Sequence, residues 1–110
     1  MIRILDIPIS EIALDPEAAS TRVDAAAERQ GGMLVVGLGR VGDRVLLFLE
    51  ELHAFQDAGS YRFAPFEGVS EKELIGEVGS RYTAGFSTVG VFPLGETLWG
   101  LFRKTGESAK

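Results

Sequence analysis

The sequence predicts an α+β fold: two β-α-β-β halves forming an antiparallel sheet with two helices on one face. Three observations predict it. Helix starts occur twice, at Asp15-Pro16 and at Ser70-Glu71-Lys72-Glu73. Short apolar or alternating runs, bounded by Gly and Pro, fill the intervals between and after them, as strands do. The chain also matches itself when shifted by 53 residues: Gly32 meets Gly85, Val36 meets Val89, Gly37 meets Gly90 and Gly42 meets Gly95. The halves run over about 1–53 and 54–106 of a single domain, with a frayed polar tail at 105–110. A ferredoxin-like β-α-β-β-α-β arrangement with extra strands is the alternative for the first six elements.

Ile2 to Ile9 is apolar on both sides, which predicts a buried strand ending near Pro8; Ser10 to Leu14 is a connection. Asp15 is an N-cap, with proline at the first helical position, where no N–H is needed. The helix from Pro16 to Gln30 carries a narrow stripe of Ala19, Val23, Ala26 and Ala27, suited to lying close on a sheet. Gly31-Gly32 ends it. Met33 to Leu38 and Arg44 to Glu50 are strands joined by a connection of hairpin length.

In the second half, Tyr61 to Phe66 is a strand. Ser70 and Glu73 form a capping box, with Val69 and Leu74 at the staple positions. The helix runs to about Thr83, with Leu74, Ile75, Val78 and Tyr82 on one face. Phe86 to Phe92 and Thr97 to Arg103 are the last strands. Pro93-Leu94-Gly95-Glu96 between them fits a type I turn followed by a left-handed glycine.

Gly37-Leu38-Gly39-Arg40-Val41-Gly42 is a literal G-x-G-x-x-G. Gly37, Gly39 and Gly42 are therefore the candidate residues of a nucleotide-binding reading, in which 43–58 is one helix and its N-terminus holds a pyrophosphate. The counterpart of this motif in the second half, GVFPLG, lacks the second glycine and carries a proline. A hairpin turn with a trailing left-handed glycine accounts for both copies and predicts strand, then loop, over 44–58.

Composition narrows the function. Hydrophobic residues make up 45% and charged residues 25% of 110, the balance of a globular chain. A net charge of −5 with scattered basic residues argues against nucleic acid and against a membrane surface. No run is long enough to span a bilayer and no signal peptide is evident. The absence of cysteine fits a cytoplasmic protein and removes disulfides and thiolate metal sites. His53 is the only histidine and has no readable nucleophile or acid partner, so no catalytic residue, metal site or cofactor is assigned.

Duplicated β-α-β-β modules resemble, in architecture alone, effector-binding domains that hold small molecules at the repeat interface. The expected function is a non-enzymatic ligand-binding or protein-interaction module, working as a homodimer that covers an exposed sheet edge. Its candidate ligand-binding residues are Tyr61, Arg81, Tyr82 and Trp99. Trp99 precedes Gly100, and a ring beside a residue without a side chain forms either a pocket wall or a filled gap in the core.

Overall fold

The computed structural model describes residues 2–28, 32–51 and 59–104. His53, the Gly31 cap and the tail at 105–110 lie outside the described residues. The chain is an α+β domain with the element order β1 (Ile2–Pro8), α1 (Ile9–Leu14), α2 (Pro16–Glu28), β2 (Met33–Val41), β3 (Arg44–Glu51), β4 (Ser60–Pro65), α3 (Glu71–Thr83), β5 (Phe86–Leu94) and β6 (Thr97–Lys104). The six strands are hydrogen-bonded as two three-stranded antiparallel sheets, β1-β3-β2 and β4-β6-β5, rather than as one.

The two sheets match in detail. Each is a hairpin whose second strand lies in the middle, with the strand that precedes the helix on its far side. Each hairpin has one bulge, at Val36 in β2 and at Val89 in β5, 53 residues apart. The hairpin glycines Gly42 and Gly95 have φ of +61° and +64°, and Gly32 and Gly85, which lead into β2 and β5, have +104° and +99°. These are left-handed conformations that only glycine adopts without strain, which is why the glycines recur at that spacing. The motif Gly37 to Gly42 is thus strand and turn. Arg44–Glu51 continues as strand, so no helix N-terminus follows these glycines to receive a phosphate.

Local chemistry starts both long helices as the sequence requires. Ala18 N–H donates to the Asp15 carboxylate at 3.1 Å, and Ser70 and Glu73 form a reciprocal capping box. Val69 is exposed, however, so the staple buries little. The expected connection at Ser10–Leu14 is instead the helix α1. Pro8 is extended at its N-cap, Ile9 N–H donates to Asp43 O at 2.8 Å, and Ile12 is driven into the core.

Helix α2 lies between the sheets. Ala19, Val23 and Ala27 join one apolar cluster with Ile7, Val45, Leu47 and Leu49 of the first sheet and Tyr61, Phe63, Phe92 and Leu101 of the second. Its small side chains let it approach the outer edge of β4 closely enough to serve that strand's unpaired N–H groups. Ser20 Oγ accepts from Phe63 N–H at 2.9 Å, and the Asp24 carboxylate accepts from Tyr61 N–H at 2.7 Å. Ser20 also donates to Pro16 O at 2.7 Å, so its hydroxyl is satisfied in both directions. On the opposite side of the second sheet, α3 packs by its inner face and buries none of its residues fully.

Two sequence expectations are corrected by this packing. The β1 strand is not buried on both faces, because Ile2 and Ile4 lie open while Ile7 is enclosed. The apolar stripe of α3 is not covered either: Ile75 and Tyr82 are exposed, and Leu74 and Val78 are half-buried.

Candidate functional site

Successive residues of a strand point to opposite faces, so the antiparallel register sorts the second sheet cleanly. Tyr61, Phe63, Trp99 and Leu101 share the face toward α2, and Arg62, Ala64, Gly100 and Phe102 share the face toward α3. The four expected ligand residues are therefore not brought together. Tyr61 is a core residue whose phenol oxygen accepts the Val35 N–H at 2.9 Å. Burial raises its pKa above the ordinary tyrosine range. Trp99 is half-buried against the same cluster. The space over Gly100 is filled by the Phe66 and Phe102 rings, which a Cβ there would meet at 3.0 and 2.8 Å. Tyr82 stands on the exposed side of α3. Only Arg81 lines a cleft on the face beneath that helix.

That cleft has a volume of about 260 Å³ and is lined by Arg62, Ala64, Ser80, Arg81, Ala84, Phe86 and Phe102. Its walls are apolar and its rim is cationic. The Arg81 guanidinium carbon sits 4.2 Å from the Phe102 ring centre and 5.0 Å from that of Phe66, while Nη2 donates to Pro65 O at 3.0 Å. Nη1 is buried and has no hydrogen-bond acceptor among the described residues. Glu77 Oε1, 3.9 Å from Nη2, lies beyond hydrogen-bond range, and that carboxylate is already engaged. Its carboxylate accepts the N–H groups of Glu67 and Gly68 at 3.0 and 2.7 Å, which holds its pKa below the ordinary carboxylate range. On the other wall the Arg62 guanidinium and the Lys104 ammonium lie 5.8 and 5.4 Å from the Phe86 ring centre.

The first sheet has a cleft in the matching place, lined by Arg3, Ile4, Leu5, Ala26, Met33 and Leu49, of about 60 Å³. The pairing registers make the two comparable residue by residue. Arg3 pairs with Leu49 as Arg62 pairs with Phe102, and Leu5 with Leu47 as Ala64 with Gly100. Leu5 lines and narrows the first cleft; Ala64, the smaller side chain at the matching position, leaves the second wider. Arg62, Ala64, Phe86 and Phe102 were not among the residues the sequence singled out. The alternation of Arg62 and Ala64 opposite Phe102 was the available signal, but it needs the register before it says anything.

A second surface is set by the same registers. Phe63 pairs with Leu101 as Ile4 pairs with Phe48, and Tyr61 pairs with Arg103 as Ile2 with Glu50. Tyr61 and Phe63, beneath α2, are each 3% exposed, whereas Ile2 and Ile4 are 67% and 59% exposed. Helix α3 begins 55 residues after α2. By that offset the buried residues Ala19, Ser20, Val23 and Ala27 correspond to Leu74, Ile75, Val78 and Tyr82, of which Leu74 and Val78 are half-buried and Ile75 and Tyr82 exposed.

Elsewhere, Arg40 bridges the two hairpin turns, donating to Gly42 O at 2.7 Å and to Pro93 O at 2.6 Å. Among the described residues no group of His, Cys, Asp or Glu is arranged to hold a metal ion, and no helix is long and apolar enough to cross a membrane. The fold and these surfaces define a small α+β module with an apolar, cation-rimmed cleft beneath α3 and an uncovered edge at β1. Compared with known proteins, the chain matches no family model, and no curated protein or solved structure is similar to it.

Proposed function

We propose that this chain is a non-enzymatic interaction module, built from two copies of a β-α-β-β unit, that works as a homodimer. In the dimer the stripe of α3 in each copy covers the β1 edge of the other. The observation that carries this reading is the contrast between Tyr61 and Phe63, enclosed by α2, and the register-equivalent Ile2 and Ile4, which nothing among the described residues encloses. The duplication is supported by the matched bulges, left-handed glycines and strand orders.

The two faces also suit each other. Helix α2 sets small residues against large rings; α3 would set Leu74, Ile75, Val78 and Tyr82 against the smaller Ile2 and Ile4, with Phe48 beside them. Where the α2 arrangement is carried over, the Glu71-Lys72 end of α3 meets the Asp6–Arg44 ion pair, one charge of each sign on either side. Covering β1 in this way also removes an edge open to indiscriminate strand pairing.

Sedimentation velocity across a concentration series tests the reading. The wild type sediments as a dimer, and Ile75→Glu and Ile4→Glu each sediment as monomers with unchanged circular dichroism, because both side chains are exposed in the single chain. Mixing the two variants restores a dimer, since a two-fold pair formed from one of each keeps one intact contact of the two. A wild type that stays monomeric at millimolar concentration, or variants that dimerise like wild type, would overturn it.

A further inference from the structure

We propose that the cleft beneath α3 binds a small amphipathic organic anion, an aromatic or short-chain carboxylate, with its apolar body between Phe86 and Phe102 and its carboxylate held by Arg81 and Arg62. Every residue lining the cleft belongs to a single chain, so this site does not depend on the homodimer.

Four features carry the inference. First, the space is made by sequence rather than left by poor packing: Ala64 stands where Leu5 narrows the matching cleft of the first half. Secondly, that volume lies below the roughly 300–1,000 Å³ of pockets that take drug-sized molecules, which limits the occupant to about one ring or a short chain. Thirdly, three cations, Arg62, Arg81 and Lys104, converge on two aromatic rings in a chain whose net charge is −5. The charge is concentrated here against the overall balance, and a cation near a ring face selects a ligand that is apolar at one end and anionic at the other. Fourthly, Arg81 Nη1 is a buried donor with no acceptor among the described residues. Leaving such a donor unmade is costly, and after a small turn of the guanidinium a carboxylate oxygen in the cleft would meet it in a charge-assisted bond.

The test is a titration of the full-length, isotope-labelled protein with 3-phenylpropionate near neutral pH, followed by amide chemical shifts. Saturable shifts are expected at Ser80, Arg81, Ala84 and Phe86. The neutral amide of the same acid should bind at least about tenfold more weakly, the measure of one lost charge-assisted hydrogen bond. Ala64→Leu, which places in the second cleft the side chain that narrows the first, should abolish the shifts while the protein melts as a folded domain. Arg81→Met should weaken binding by a comparable factor. No saturable shift up to about 10 mM acid would sink the site, given that weaker binding carries less than about 3 kcal/mol. Equal binding by folded Ala64→Leu would place the ligand elsewhere, and equal binding by the neutral amide would refute the anion.

Discussion

Helix α2 is enclosed on two sides and helix α3 on one, although they occupy matching places in halves of matching design. Beneath α2, side-chain oxygens of Ser20 and Asp24 satisfy the edge of β4, and Tyr61 and Phe63 are sealed from water. The matching edge strand, β1, has Ile2 and Ile4 open, and the stripe of α3 that matches the buried stripe of α2 is open as well. The clefts beneath the helices differ as the helices do, about 60 Å³ under α2 and about 260 Å³, with a cationic rim, under α3. One backbone plan thus yields one helix that is enclosed and one that presents surface. A few side-chain exchanges separate them, Leu5 against Ala64 among them.

The sharpest way to break this comparison is to truncate equivalent residues. Phe63→Ala removes a buried ring that packs edge-on to Phe92 at 6.0 Å between centres. It should cost about 3–5 kcal/mol in chemical denaturation, the range for buried aromatic truncations. Ile4→Ala, at the equivalent position, should change the stability of the dilute monomer by less than about 0.5 kcal/mol, as exposed substitutions do. Similar losses at both sites would mean that β1 is as enclosed as β4.

The polar contacts under α2 give the next largest effect. Tyr61→Phe keeps the ring and removes the oxygen that accepts the Val35 N–H, and Ser20→Ala removes the acceptor of the Phe63 N–H. Each strands a buried backbone donor and should cost about 1–3 kcal/mol. Asp24→Asn keeps an acceptor for Tyr61 and should cost less than Ser20→Ala; the reverse order would show that the carboxylate charge, not its hydrogen bond, holds that edge.

The hairpin glycines sharpen the likeness rather than the difference. No atom lies within 4 Å of a Cβ built on Gly42 or Gly95, so alanine meets only the cost of a positive φ. Both Gly42→Ala and Gly95→Ala should lose about 1–2 kcal/mol, and by nearly equal amounts. A harmless Gly42→Ala would remove the physical reason for reading GLGRVG as a turn.

Much of this was legible in the sequence because it is local. The capping box at Ser70 and Glu73, the Asp15 cap and the glycines at a spacing of 53 each depend on a few neighbouring residues, and each occurs as read. Ile9–Leu14 was missed as a helix because its first residues also continue an apolar alternation, and only burial of Ile12 decides between the two. The site was not legible, for a different reason. Arg62 and Phe102 are 40 positions apart, and their meeting depends on the β4–β6 register, which no single run of residues specifies. An apolar stripe likewise says that a helix has a face, not what covers it, so Ala19 and Val23 and their counterparts Leu74 and Val78 read alike.

Acid response separates the two helices by the smallest effect. Burial is the largest influence on Asp24 and pushes its pKa up, partly opposed by the hydrogen bond from Tyr61 N–H. The hydrogen bonds from Ser70 and Val69 hold Glu73 down, as those from Glu67 and Gly68 hold Glu77 down. The signs are opposite. A carboxyl with a raised folded pKa contributes stability in acid, below its unfolded pKa, and loses it as pH rises through the folded value. A carboxyl with a lowered folded pKa contributes stability above its unfolded pKa and loses it as pH falls through the folded value. Denaturation curves between about pH 2 and pH 7 should therefore show that Glu77→Gln flattens the acid loss of stability and Asp24→Asn steepens it. If both substitutions moved the acid limb in the same direction, the two helices would not hold their carboxylates in opposite environments, and the contrast between an enclosed α2 and an open α3 would fail at its most local point.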